Sequence, residues 1–234
     1  MREHDAQKLV ASIPLFAPLG YQAHARLAEL VSVRRYAMRQ VVVWEGEAGG
    51  SLFLSLSGYF KATTTASDGT EMLLSVMGPG EVFGELSVLD GRPRSASVVA
   101  LESGELASIE RPDLFELMSS SPSLAIGLIE VLAQRVRTLT KRYETISSQD
   151  VPQRLAQVLV ALAQKHGRPD GRNVRIPVRL SQQDFGSMVG ATRESVNKQL
   201  RKWARNGVLL SAKGCVVISD LAALRGISDG EPRV

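Results

Sequence analysis

FGELSVLDGRPRSAS, Phe83–Ser97, brings the parts of an anion site together in one short stretch. Gly84 has no Cβ, so the backbone there can approach a ligand closely. Glu85-Leu86-Ser87-Val88 is the length of a single helical turn, whose first N–H groups lack intrahelical partners and point at an anion. Ten residues after the glycine come Arg94, a permanently charged fork matched to phosphate oxygens, and Ser95, a hydroxyl donor. Asp90-Gly91 and Pro93 supply the turn between them. Glu85 is the odd member, because a carboxylate beside an anion repels it unless it accepts hydrogen bonds from a neutral part of the same ligand. A ribose hydroxyl has that chemistry. An ordinary strand-turn-strand would carry Glu85 and Arg94 only as a surface ion pair.

Around this stretch, from Val31 to Ile109, the chain reads as short β-type runs: VVVWEG, SLFLSLSGYFKATTT, MLLSVMGPGEVFG and SASVVALESGELASI. Gly46, Gly49-Gly50, Gly58, Asp68-Gly69 and Gly78-Pro79-Gly80 mark the corners. Regular turn signals between short alternating strands predict an antiparallel roll or barrel. Residues 5–30 read mostly as helix interrupted at Pro14 and Pro18-Leu19-Gly20, with Leu27, Leu30 and Val31 on one face of QAHARLAELV. Arg94 and Glu85 at this spacing, with Glu45-Gly46-Glu47, Leu52-Phe53 and Ser57-Gly58, resemble the β-roll and phosphate-binding cassette of the cyclic-nucleotide-binding family.

Helix resumes at Asp113–Met118, and SSSP at Ser119–Pro122 restarts it as a long helix to Ser147, with proline suited to the first turn. Ala125, Ile129, Leu132, Val136, Leu139, Tyr143 and Ile146 alternate by four and three residues, a continuous heptad seam. Leu124, Leu128 and Val131 form a second apolar flank. One flank suits the chain's own roll and the other a second copy, which predicts a parallel homodimer. SSQDVP, residues 147–152, reads as a hinge in which Asp150 caps the helix Val151–His166, with Leu155, Val158, Leu159 and Leu162 inward. A turn-rich loop follows, then the strand Val174–Val178, which Pro177 assigns to a sheet edge.

Ser181 and Asp184 stand at capping-box spacing before a short helix, Gln182–Val189, with Phe185, Met188 and Val189 inward. Gly190 permits a tight turn, and Thr192 caps a second helix, Arg193–Arg205, which Gly207 ends. Val196, Leu200 and Trp203 face its core, while Arg193, Glu194, Asn197, Lys198 and Arg201 lie on the other side. The segments Val208–Leu210 and Val216–Ile218 make a hairpin around Ala212–Cys215. This is a helix-turn-helix with a wing. Charge agrees: up to Gln149 there are 14 Lys/Arg against 17 Asp/Glu, and from Asp150 onward 14 against 7, so the back half is the one suited to a polyanion.

In order, roll, long helix and winged helix-turn-helix resemble the cyclic-AMP receptor (Crp-Fnr) superfamily of bacterial transcription regulators over nearly the whole chain. The expected fold class is α+β, divided as residues 1–112, 113–149 and 150–234. The resemblance implies that Arg94, Ser95 and backbone near Gly84 and Leu86 hold a cyclic phosphate and that Glu85 takes the ribose 2′-hydroxyl. It also implies base contacts from the long helix. Leu139 and Thr140 stand where the family's cyclic-AMP receptors have two adjacent hydroxyl residues, so one hydroxyl is kept and one is replaced. Cyclic AMP is the favoured effector and cyclic GMP its main rival, with cyclic di-GMP, haem or no required ligand as alternatives. On duplex DNA with a near-palindromic operator, Arg193, Glu194 and Lys198 are the expected base readers, Lys198 replacing the family's arginine. Ser181, Gln182, Gln183, Thr192 and Arg201 are the expected phosphate contacts, and Asn197 belongs to the same face. RNA polymerase is a further implied partner.

Other classes fit less well. A cupin-like barrel enzyme needs clustered histidine and carboxylate ligands, and no histidine lies between His24 and His166. The single cysteine, Cys215, cannot hold an iron–sulfur cluster within one chain, and no metal is expected. No phosphate-loop, paired-histidine or nucleophile-elbow motif is present. No apolar run approaches a membrane span and the N-terminus lacks a secretory pattern, so a cytoplasmic protein is expected.

Overall fold

The computed structural model describes residues 13–67, 69–212 and 214–230. The helix expected from residue 5, as far as residue 12, lies outside them, as do Asp68 of one expected corner and Lys213 of the wing turn. The described residues fall into two compact units. One comprises the chain up to Thr64 together with Leu74–Arg137, the other Thr65–Leu73 together with Thr138 onward.

The N-terminal unit is built on two antiparallel sheets. Helix α1 (Tyr21–Leu30) leads into β1 (Ser32–Tyr36), β2 (Val41–Val43), β3 (Ser51–Ser57), β4 (Phe60–Thr65), β5 (Glu71–Met77) and β6 (Val82–Phe83). Helix α2 (Glu85–Asp90) is followed by β7 (Ser97–Ala100), β8 (Gly104–Glu110) and helix α3 (Arg111–Ser120). The strand orders are β1-β8-β3-β6 and β2-β7-β4-β5.

Strand β3 explains why the roll closes. Successive strand side chains point to opposite faces, and in β3 both faces are buried, which is why SLFLS reads as a nearly continuous apolar run. Phe53 joins Tyr36, Phe60, Met77, Phe83, Val98 and Leu106 from both sheets in the interior cluster. Its ring stacks on Phe83 at 5.2 Å between centroids. Leu52 and Leu54 face the other way, into a cluster with Phe16, Leu27, Leu114, Leu117, Leu124 and Leu128 from the helical segments.

Helix α4 (Pro122–Ser148) is one 27-residue element. Its flank Leu124 and Leu128 is buried in that second cluster, as the spacing requires. The seam points elsewhere: Ile129 is 63% exposed, Val136 61%, Leu139 60% and Tyr143 78%. The side chain of Ile146 is outside the described set.

In the C-terminal unit, Asp150 caps α5 (Val151–His166) through a reciprocal capping box with Gln153. Strands β9 (Arg168–Asp170) and β10 (Asn173–Ile176) follow. Then come helices α6 (Gln182–Val189) and α7 (Arg193–Arg205), the wing strands β11 (Leu209–Ala212) and β12 (Cys215–Ile218), and helix α8 (Leu221–Asp229). The sheet order is β11-β12-β10-β9. This corrects the edge position expected for 174–178. Strand β10 is central, because it ends at Ile176, before Pro177 could withhold a ladder donor. The proline-bearing edge is β9, with Pro169. Val158 and Leu200 are half-buried rather than core, whereas Gln199 is buried. Among the described residues, no single helix is long and apolar enough to cross a membrane.

Leu54 is fully buried, so Leu54→Ala should lose roughly 2–5 kcal/mol of unfolding free energy in a urea titration. The exposed Ser32→Ala on β1 should stay within about 0.5 kcal/mol of the parent.

Candidate functional site

The anion site predicted between Phe83 and Ser97 is built by backbone constraints. Gly84 caps α2 in the left-handed region at φ 81°. A Cβ there would stand 2.6 Å from Arg94 Nη1 and 3.1 Å from the Ser51 carbonyl oxygen, so glycine is needed for conformation and for space. Arg94 is held from both ends. Its own N–H donates to the Glu47 carbonyl and its carbonyl accepts from the Gly46 N–H, both at 2.8 Å. Its guanidinium donates from Nη1 to Ser87 Oγ at 2.8 Å and to the Gly84 carbonyl at 3.2 Å, and sits 5.3 Å from the Phe53 ring centroid.

Arg94 is 6% exposed and Glu85 is fully buried. Burial pushes the Arg94 pKa down from its ordinary value, opposed by Glu110, Glu47 and Glu85. Burial pushes the Glu85 carboxyl up, opposed by Arg135, the helix backbone and Arg94. Arg135, from α4, lies 2.7 Å from Glu85 Oε1 through Nη1 and donates from Nη2 to the Val82 carbonyl at 2.8 Å. That ion pair lacks hydrogen-bond alignment, and neither Glu85 oxygen nor Arg94 Nε has a hydrogen-bond partner among the described residues. Buried polar atoms are normally satisfied, so these orphans mark a place for a polar ligand.

Gly84, Glu85, Leu86, Arg94 and Ser95 all line one cavity, together with Ser87 and Arg135 and with walls from Val43, Ala62, Met77 and Val98. Ser95 and Leu86 are exposed at its edge. Leu139 and Thr140 are exposed on α4 and do not line it. Two polar side chains that touch Arg94 or Glu85, Ser87 and Arg135, escaped the sequence reading. Ser87 reads as part of an anonymous helical turn. Arg135 had a signal: it follows Leu124, Leu128 and Val131 by the same four–three–four spacing, a charge where the buried flank calls for an apolar residue.

The second cluster lies on α6 and α7. Ser181 and Asp184 form the reciprocal capping box, and Ser181 Oγ also donates to Asp184 Oδ2 at 2.6 Å. Gly186 lets the helices meet, since a Cβ there would stand 2.6 Å from the Ala191 carbonyl. Thr192 caps α7 by accepting from the Ser195 N–H. Val196 and Trp203 are buried, leaving Arg193, Glu194, Lys198 and Arg201 exposed. Gln183 is exposed, and Gln182 donates to Asn197 Oδ1 at 3.2 Å. Leu180, Ser181, Gln182, Gln183 and Arg193 line a shallow groove at the start of α6. An amide-rich helix start beside an arginine can take phosphates, and the exposed row on α7 can reach base edges. Among the described residues, no group of three or more His, Cys, Asp or Glu could hold a metal.

Residues 33–121 match the cyclic nucleotide-binding domain family, and residues 153–227 match the Crp-like helix-turn-helix domain. Over 213 residues the chain is 33% identical to the CRP-like cAMP-activated global transcriptional regulator of Mycobacterium tuberculosis, an overlap of 91% of this chain and 95% of that protein. It is 30% identical over 217 residues to the cyclic AMP receptor protein of Thermus thermophilus, covering 93% and 97% respectively. The solved structure of FixK2 from Bradyrhizobium japonicum shares the fold at a TM-score of 0.73 and 19% identity, covering 84% of this chain and 96% of that one.

The buried carboxyl of Glu85 makes a pH prediction. Its folded pKa is raised, so its contribution to stability is greatest below the unfolded carboxylate value and declines as pH climbs through the folded one. Without added nucleotide, the wild type should therefore gain melting temperature relative to Glu85→Gln as pH falls from 7 toward 4.5. Parallel pH profiles would contradict it.

Proposed function

Because the chain belongs to the Crp-like family of transcription regulators, uniting a cyclic nucleotide-binding domain with a helix-turn-helix, we propose that it is a homodimeric reader of duplex DNA controlled by cyclic AMP. The observation that carries the effector half is the buried, hydrogen-bond-deficient Glu85 carboxylate in one cavity with Arg94. A cation for a phosphate and an acceptor for a sugar hydroxyl, both already desolvated, suit a ribose phosphate such as a cyclic nucleotide.

In this reading Arg94 and Ser95 hold the phosphate, helped by backbone near Gly84 and Leu86, and Glu85 accepts from the ribose. When bound, the nucleotide supplies the anion and the hydroxyl donors those groups lack. Arg135 ties the same carboxylate to α4, so occupation of the cavity bears directly on the long helix. Leu139 and Thr140 serve the base from α4, Thr140 by its hydroxyl. The exposed seam of Ile129, Val136, Leu139 and Tyr143 is the dimer contact.

On DNA, Arg193 reads guanine, Glu194 accepts from cytosine N4, and Lys198 makes a weaker guanine contact without the arginine fork. Gln183, Arg201 and the capped starts of α6 and α7, through Ser181, Gln182 and Thr192, position phosphates. A two-fold dimer needs half-sites about 34 Å apart. Residues 1–112, 113–149 and 150–234 thus act as sensor, dimer helix and reader, with RNA polymerase as the protein partner of the bound dimer. The effector works only through unequal affinity for the two states. The substitution at Leu139 supports a second reading, in which DNA binding needs no nucleotide.

Parallel calorimetric titrations with cyclic AMP, cyclic GMP and cyclic di-GMP should show cyclic AMP binding tightest. Arg94→Ala should weaken it by roughly 10- to 150-fold, the worth of about 1.5–3 kcal/mol for a hydrogen bond to a charged group. Operator affinity that is the same with and without nucleotide, in wild type and Arg94→Ala alike, would favour the second reading. Leu139→Asp with Tyr143→Asp should convert a dimer to a monomer in sedimentation velocity.

A further inference from the structure

The amides of Gln182 and Asn197 are joined across the helix-turn-helix, with Gln182 Nε2 donating to Asn197 Oδ1 at 3.2 Å. Gln182 is the first residue of α6, and Asn197 is the fifth of α7. Both side chains are half-buried. The distance between them is set by the backbone. The Ser181–Asp184 box fixes the start of α6. The close approach of Gly186 to the Ala191 carbonyl, with the Ala191 N–H donating back to Gly186 at 3.0 Å, fixes how the two helices cross.

Asn197 stands in the middle of a row. Arg193 lies one helical turn before it and Arg201 one turn after, at the i, i+4 spacing that shares a face. Arginine can only donate hydrogen bonds, whereas a carboxamide both donates and accepts. That dual capacity lets asparagine read adenine, its oxygen accepting from N6 while its NH₂ donates to N7. Both atoms must face the base. Here the oxygen accepts from Gln182 with one of its two lone pairs, and that bond fixes the plane of the Asn197 amide against turning squarely to a base. Interchanging nitrogen and oxygen in both amides reverses the bond but leaves the plane fixed in the same way.

We propose that the Gln182–Asn197 amide pair is a specificity-determining device: it holds the Asn197 amide turned away from adenine and leaves a row of donors, Arg193 and Lys198, reading on either side of it. Such donors favour acceptor edges, guanine O6 and N7 or thymine O4, over the edge of adenine, which must also donate. The inference rests on the DNA-reading function proposed above and adds which base the middle of α7 discriminates against.

The test selects sequences from duplexes randomised in both half-sites, using the full-length protein with cyclic AMP added. Wild type, Gln182→Ala, Asn197→Ala and the double variant are compared by base frequency at each position. Gln182→Ala weakens all sites uniformly if its phosphate contact is lost, which leaves frequency ratios untouched. Freed Asn197 should then bring a new adenine preference of roughly 5- to 150-fold at one symmetric position per half-site. That preference should be absent from the wild type and from the double variant. Gln182→Glu, which can only accept, should turn the Asn197 amide over and move the same position toward adenine or cytosine, the bases that donate. Equal melting temperatures verify that each variant is folded. Gln182→Ala frequencies superimposable on the wild type would overturn the proposal, as would an Asn197-dependent adenine preference already present in the wild type. A wild type that enriches no sequence, while cyclic AMP still binds it in calorimetry, would overturn the DNA-reading function itself and this proposal with it.

Discussion

A guanidinium taken out of water and kept charged is the constraint on which the N-terminal unit turns. Arg94 is 6% exposed, and removing a cation from water costs several kcal/mol unless partners offset it. Its partners come from separate parts of the roll. The Gly84 carbonyl lies at the end of β6, Ser87 Oγ in α2, the Phe53 ring in β3 and the Gly46–Glu47 turn before β3. None is in place unless the strands pair in register and Gly84 adopts its left-handed conformation. The interior aromatic cluster and the anion site are therefore one construction, with Phe53 serving as core residue and as platform for the cation.

The carboxylate beside it is balanced less completely. Glu85 has Arg135 at 2.7 Å and Arg94 in the same cavity but no aligned hydrogen bond, and burial lifts its pKa. Leaving a buried acceptor unmet costs about 1–3 kcal/mol. A hydroxyl-bearing ligand can relieve that strain, whereas the Arg94 guanidinium alone suits any phosphate.

What could be read in the sequence was whatever announces itself through short-range chemistry. The turn at Asp90-Gly91, the caps at Asp150, Ser181 and Thr192, the roll strands and the helix-turn-helix each have a local cause, and each lies where its residues predict. That Gly84, Glu85, Leu86, Arg94 and Ser95 line one cavity was legible for the same reason, since all five fall on one short stretch of chain. Arg135 was not singled out, because its meaning depends on α4 packing across the β6–α2 turn. Strand β10 was misplaced to an edge, since Pro177 sits one residue beyond the ladder and β9 pairs outside it. Helix α8, which packs on α5, was missed: its signal is a lone Asp220 cap before LAAL, weak without knowing that Leu224 is buried.

Helix α4 carries its two apolar rows and Arg135 on one rigid rod, and this makes it intolerant of changes in length. One residue added or removed between Leu128 and Leu139 rotates everything beyond it by about 100°. Arg135 would then leave Glu85, or the exposed seam would turn to another bearing, according to which side of the change was anchored. Two added residues do not restore the phase, whereas seven or eleven return both rows to within about 20° of their former bearing. Length changes in such a helix are therefore limited to steps near whole turns, whereas an exposed corner such as Gly69 has no helical phase to preserve.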